Sequence, residues 1–180
     1  MKILLFLLLT SYLYANIKQN IFELYQEKRY KEACIKGASN FNSFRQDEEL
    51  ISLYAFSCLK SDYIDKLSIP IVILKNSKEA RSNSAYFSII LMQKKLLYHS
   101  LVDGYDLSSL KLPTTTNIFS KVFDLYSKEK INKEKNIYLF EDKDDKNRNY
   151  KLYLIQQKNS YKIVIEEFYN RFQIKKHIYR

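Results

Sequence analysis

An α+β fold, with a layer of helical hairpins first and a small antiparallel β-meander last, is predicted by a change of period along the chain. From residue 17 to about 127, apolar residues recur at helical spacing. After about residue 136 they come in short runs rich in Ile, Tyr, Leu and Val, separated by polar turn clusters. Only two Gly and two Pro occur in 180 residues, which argues against a loop-rich all-β fold and against disordered linkers.

The first helix is read from Ile17, Ile21, Leu24 and Lys28, one stripe at i, i+4, i+7 and i+11 that ends on a long stem able to snorkel. Gln26 to Arg29 form a turn. The second helix carries Tyr30, Ala33, Cys34, Gly37, Ala38 and Phe41 on one side, small alternating with large, so that a neighbour can approach closely. The third runs from about Asp47 to Leu59. Its first turn holds Asp47, Glu48 and Glu49, and Lys60 sits at its far end; both signs complement the helix dipole.

Within this stretch, Tyr30-Lys31-Glu32-Ala33 fits a Tyr-x-x-Ala motif, Ala55 supplies a later small residue, and Tyr63 follows Tyr30 by 33 residues. On these residues the chain resembles a tetratricopeptide-type repeat over about residues 17–67. It departs at Gly37, where an aromatic is expected, at Leu67, where Ala is expected, and in lacking a closing Pro. The resemblance implies stacked helical hairpins that offer a grooved face to a protein partner.

Residues 1–15 read as a secretory signal. Lys2 is a short positive start, Ile3–Leu9 an unbroken apolar run, and Leu13-Tyr14-Ala15 a cleavage site ending on a small residue. The run is shorter than the roughly 20 residues needed to span a bilayer. An uncleaved inner-membrane anchor is the alternative. Export would place both cysteines in an oxidising compartment. Cys34 and Cys58 lie on the apolar sides of consecutive helices, so a Cys34–Cys58 disulfide is expected if those helices are antiparallel neighbours.

Further along, Ser68-Ile69-Pro70 opens the apolar run Ile71–Leu74, which suits either strand or helix; Ser68 as a cap with Pro in the first turn favours a short helix. Ser77 caps a longer one, whose buried part runs from Ala85 to Val102. Asp103-Gly104-Tyr105-Asp106 ends it, with Gly104 available for a left-handed cap. Thr116 or Asn117 caps a last helix through Tyr126, and Lys128–Lys135 is a charged connector. Asn136–Phe140, Tyr150–Gln156 and Tyr161–Phe168 then form three antiparallel strands, with Phe172–Tyr179 a fourth segment of either strand or helix. The expected organisation is a signal at 1–15, a helical domain at 16–127, and a strand-rich subdomain at 128–180 packed on the helices.

Formal net charge is +10. Its positive residues are spread rather than clustered, which speaks against a nucleic-acid partner. The C-terminal residues Lys175, Lys176, His177 and Arg180, mixed with apolar neighbours, could touch a protein partner, an anionic membrane or a cell-wall surface. Lysines guarding an edge strand would have the same pattern.

No cofactor, metal site or catalytic set is expected. Asp142–Asn147 fails the calcium-loop pattern at Lys146, at the missing turn Gly and at the missing final Glu. His99 and His177 lack ligands at metal-binding spacing. Glu166 and Glu167 are adjacent on a strand and so point to opposite faces. These readings point to an exported, periplasmic, non-catalytic binding module or scaffold with an envelope protein partner, as in a motor, secretion or transport assembly. The rival is a periplasmic enzyme acting on cell-wall or other envelope substrates.

Overall fold

The computed structural model describes residues 17–128 and 137–179. Residues 1–16, where the signal is expected, residues 129–136, nearly all of the charged connector, and Arg180 lie outside the described residues. Six helices precede a four-stranded antiparallel meander: α1 (17–26), α2 (Tyr30–Phe44), α3 (Glu48–Lys60), α4 (Ser68–Ile73), α5 (Lys78–Asp103), α6 (Ile118–Lys128), β1 (Ile137–Glu141), β2 (Arg148–Gln157), β3 (Ser160–Tyr169) and β4 (Phe172–Tyr179). Among the described residues no helix is long and apolar enough to cross a membrane. The chain divides into two compact units, Met1–Ala85 and Tyr86–Arg180, with the division inside α5. The greater part of α5, from Tyr86 on, together with α6, therefore belongs with the sheet.

In the first unit, the stripe expected to run through Lys28 stops at residue 26. Lys28 takes φ 60° and turns the chain into α2. Helices α2 and α3 then form an antiparallel hairpin. Gly37 is the point of closest approach: a Cβ there would lie 3.0 Å from Cγ of Tyr54, inside the ring's contact distance. Tyr54 is buried and held by Phe41 and Phe44 at ring distances of 5.6 and 6.4 Å, so it has nowhere to swing. The glycine in place of an aromatic at this position thus has a packing cause. Cys34 and Cys58 meet across the same hairpin at disulfide distance, with Cα atoms 4.7 Å apart.

Side-chain caps set the starts of α3, α5 and α6. Asp47 accepts the Leu50 N–H at 3.0 Å, and its other oxygen takes Lys18 of α1 at 3.0 Å. Ser77 accepts the Ala80 N–H at 3.0 Å. Asn117 accepts the Phe119 N–H at 2.9 Å, and α6 runs two residues past Tyr126. Ser68 does not cap α4. A 3-10 turn, Ile64–Leu67, leads straight into the helix, and the Ser68 hydroxyl donates back to the Asp65 carbonyl instead.

Glu48, in the first turn of α3, reaches across to the loop before α5. Its carboxylate accepts the N–H groups of Lys75, Asn76 and Ser77 at 2.9, 2.8 and 2.9 Å. Arg81 donates to the Lys75 and Asn76 carbonyls of the same loop. The three backbone donors hold the Glu48 carboxyl down at about 2. A depressed pKa makes the stabilisation full above the ordinary carboxylate range and loses it as pH falls toward 2. Glu48→Gln should therefore lower the melting temperature at pH 7, and the gap from the parent should close near pH 2. A gap independent of pH in a melting series would contradict the clasp.

The second unit closes its core between α6 and one face of the sheet. Phe119 meets Tyr179 edge-on at 4.7 Å, and Tyr126 meets Tyr138 edge-on at 4.9 Å. Tyr150, Leu152, Ile163 and Ile165 complete that face and are buried. The Tyr126 hydroxyl bonds Ser100 of α5 at 3.1 Å. Gly104 takes φ 73° and ends α5 as a left-handed cap, its N–H on the Ser100 carbonyl. The segment Phe172–Tyr179 is a strand and makes the sheet four-stranded. Its pairing to β3 skips one residue. Phe168 faces Gln173 and Glu167 faces Lys175, which leaves Ile174 as the extra residue of a bulge on the edge strand.

Candidate functional site

Strand order β1-β2-β3-β4 and the pairing register fix what the outer face of the sheet presents. Alternate residues point away from α6. One row across the four strands is Ile137, Tyr153, Val164 and Ile178; the next is Leu139, Lys151, Glu166 and Lys176. On the edge strands these rows are exposed: Leu139 is 71% accessible and Ile137 48%, and Ile178 is also exposed. The centre is sealed, with Val164 and Glu166 buried.

The sealing group is a four-residue network. Tyr153 donates to the Glu166 carboxylate at 2.7 Å, and Lys176 donates to the Tyr153 oxygen at 2.9 Å. Lys176 and Lys151 also pair with Glu166 at 3.1 and 3.8 Å. Both ammonium groups lie over the Tyr153 ring, Lys151 at 5.2 Å and Lys176 at 5.6 Å from its centroid. Burial pushes the Glu166 carboxyl up, but the Tyr153 and Lys176 hydrogen bonds outweigh it and the net shift is downward. Two lysines share one carboxylate, so the platform is rigid and retains positive charge between aliphatic flanks.

The four C-terminal residues expected to touch a partner separate. Lys176 is in this network and Lys175 is exposed. His177 is on the inner face, only 3% accessible, with Nε2 2.9 Å from Glu167 and its ring stacked on Tyr179 at 5.7 Å. Glu167 also takes Arg148 at 3.2 Å. The His177 hydrogen bond is the main reason its carboxyl is depressed. His177 is therefore a core group that fixes β4 to β3, and its place among the contact residues is withdrawn: its ring has no path to a partner. Arg180 lies outside the described residues. Glu166 and Glu167 do face opposite sides, as alternation requires.

A cavity of about 310 Å³ lies beside α6 and the β1–β2 loop, lined by Thr114–Thr116, Lys121, Asp124, Asp142 and Lys143. Its two best-placed carboxylates are occupied. Asp124 is held by Lys128 at 2.6 Å and Lys143 at 2.9 Å. Asp142 accepts the Asp144 and Asp145 N–H groups, the Tyr150 hydroxyl and the Lys121 ammonium. Burial pushes Asp142 up, yet these donors bring it down to about 2. The stretch that imitates a calcium loop thus spends its leading carboxylate on closing its own turn. His99 is exposed on α5, paired with Asp103 at 2.9 Å and stacked on Tyr105.

Sequence reasoning found the cysteine pair and the basic end of the chain. It missed the outer-face rows, Tyr153 above all. Cross-strand register decides them, and no local spacing encodes it. No known protein family, curated protein or solved structure matches the chain.

Proposed function

We propose that this chain is an exported, non-catalytic binding module, part of an envelope assembly, and that the outer face of its sheet carries a protein partner. The observation supporting this is the pairing of exposed aliphatic rows at Ile137, Leu139 and Ile178 with the rigid Tyr153–Lys151–Lys176 platform. Burying such flanks against a partner is favourable at about 25 cal/mol per Å². A preorganised Tyr at the centre loses little side-chain freedom on contact, and partners anchor on such residues. One uncompensated lysine charge selects an acidic complement.

Export is supported by the character of residues 1–15 and by the cysteine pair at disulfide distance. Intact mass of the protein from fractionated cells checks it: loss of residues 1–15 with a deficit of two daltons is expected. A full-length, reduced protein would overturn it.

Leu139→Asp tests the face itself. Leu139 is exposed, so the fold should tolerate the change, and the melting temperature should stay within about 4 °C. The parent protein should co-purify with a stoichiometric envelope partner, and the variant should lose it. Retention of that partner by a folded variant would overturn the assignment of the outer face.

A further inference from the structure

We infer that the β3–β4 hairpin tip, Tyr169-Asn170-Arg171-Phe172, is an anchor for an anionic bilayer surface, separate from the protein-binding face proposed above. Tyr169 and Phe172 are register partners that close the turn. Phe172 is 77% accessible, and Tyr169 and Ile174 are exposed beside it. An aromatic side chain left in water at this level forgoes most of its burial energy, and a Tyr–Phe pair with cations at its edge matches the chemistry of the headgroup boundary.

The turn between them is strained in a telling way. Asn170 has φ 48° and Arg171 φ 71°, so both central residues are left-handed, the type I′ geometry of a two-residue hairpin. Asn tolerates that region. The second position favours Gly, and Arg there carries a backbone strain that Gly would relieve. Fold stability alone would favour Gly. Arg171 sets a long cation next to Phe172 at the tip.

Charge complementarity names the occupant. The unit from Tyr86 to Arg180 holds 18 Lys and Arg against 11 Asp and Glu. Around the tip the acids are already engaged: Asp145 and Glu167 by Arg148, Glu166 by Lys176. Arg171 and Lys146 make no ion pair among the described residues, while Lys175, opposite Glu167 on β3, adds its charge to that carboxylate. The Asn170 N–H on the Asn147 carbonyl ties the loop bearing Lys146 to the same tip. An anionic lipid surface supplies the counter-charge to these cations, worth about a fivefold gain in partitioning per residue, and its acyl boundary takes Phe172. An acidic protein surface would satisfy the cations as well, but would need a pocket shaped for the projecting Phe172; a fluid boundary needs none.

The chain contains no Trp, so Phe172→Trp places a single reporter at the tip. The full chain bearing it would be mixed with vesicles of phosphatidylglycerol and phosphatidylcholine, and with phosphatidylcholine alone. On the anionic vesicles, emission should shift to the blue and be quenched by brominated acyl chains. Both effects should vanish in 0.5 M salt and on neutral vesicles. Val72→Trp, equally exposed in the first unit, should stay in water throughout. Arg171→Gly in the Phe172→Trp background should raise the melting temperature while weakening the anionic-vesicle signal about fivefold. Emission from position 172 that does not move on anionic vesicles would overturn the proposal and leave the tip to an acidic protein surface. A signal that survives Arg171→Gly undiminished, or moves equally on neutral vesicles, would overturn it too. None of these outcomes depends on the Leu139 face.

Discussion

Phe119→Ala is expected to destabilise the second unit by about 3–5 kcal/mol. Phe119 has no accessible surface, and its ring is the edge-on partner of Tyr179. Tyr179 in turn stacks on His177, which is bonded to Glu167. Removing the Phe119 ring therefore opens a cavity where α6 meets the last strand and unseats the stack that fixes β4. The surroundings cannot collapse into the gap, because Tyr179 is held by His177 on one side and by its place in the strand on the other. Urea unfolding followed by far-ultraviolet dichroism gives the measurement. A loss below about 1 kcal/mol would mean that β4 is not docked through this ring.

Removing the Cys34–Cys58 link should cost the first unit on the order of 3 kcal/mol in the loop-entropy account, since 24 residues separate the two cysteines. The two positions have no accessible surface to speak of, so alanines at both should leave two small voids and no unpaired polar group. Reduction of the parent protein and the double Cys34→Ala, Cys58→Ala variant should lower the urea midpoint by similar amounts. Reductant should then have no effect on the variant. Equal midpoints for oxidised and reduced parent would contradict a structural bond.

Much of this fold is legible in the sequence, for local reasons. Ser77 and Asn117 cap helices because their short polar side chains reach only their own first turn, while Asp47, expected inside the first turn of α3, is instead its cap. Gly104 marks a left-handed end, and the cysteines fall on facing stripes of one hairpin. Where the reading stopped short, the deciding contact is distant. Ser68 loses its cap role to a preceding 3-10 turn. Glu48 looks like a dipole-matching acid, and only the folded chain brings residues 75–77 onto it. His177 reads as part of a basic tail because its neighbours are basic; alternation on β4 sends it inward while Lys176 goes outward. The bulge at Ile174 shifts register by one residue and leaves no local signature. The outer-face rows, and Tyr153 at their centre, exist only once four strands are aligned.

On the proposed reading, the two surfaces would divide the work. The outer face carries one net positive charge at its centre and aliphatic residues at its flanks, features that suit a specific protein contact. The hairpin tip is small, aromatic and cationic, and suits a weaker, salt-sensitive attachment. Together they would hold a module at an envelope surface while it engages a partner, with export as the condition for both.

Photo-crosslinking in the native cell tests that account most directly. A photoreactive amino acid would replace Leu139 in one strain and Val72 in another, both exposed positions in the parent chain. The expected result is one dominant protein adduct from position 139, recovered from the envelope fraction, and no matching adduct from position 72. Adducts of equal pattern from both positions, or none from position 139 with the protein present and folded, would contradict a partner-binding role for the sheet.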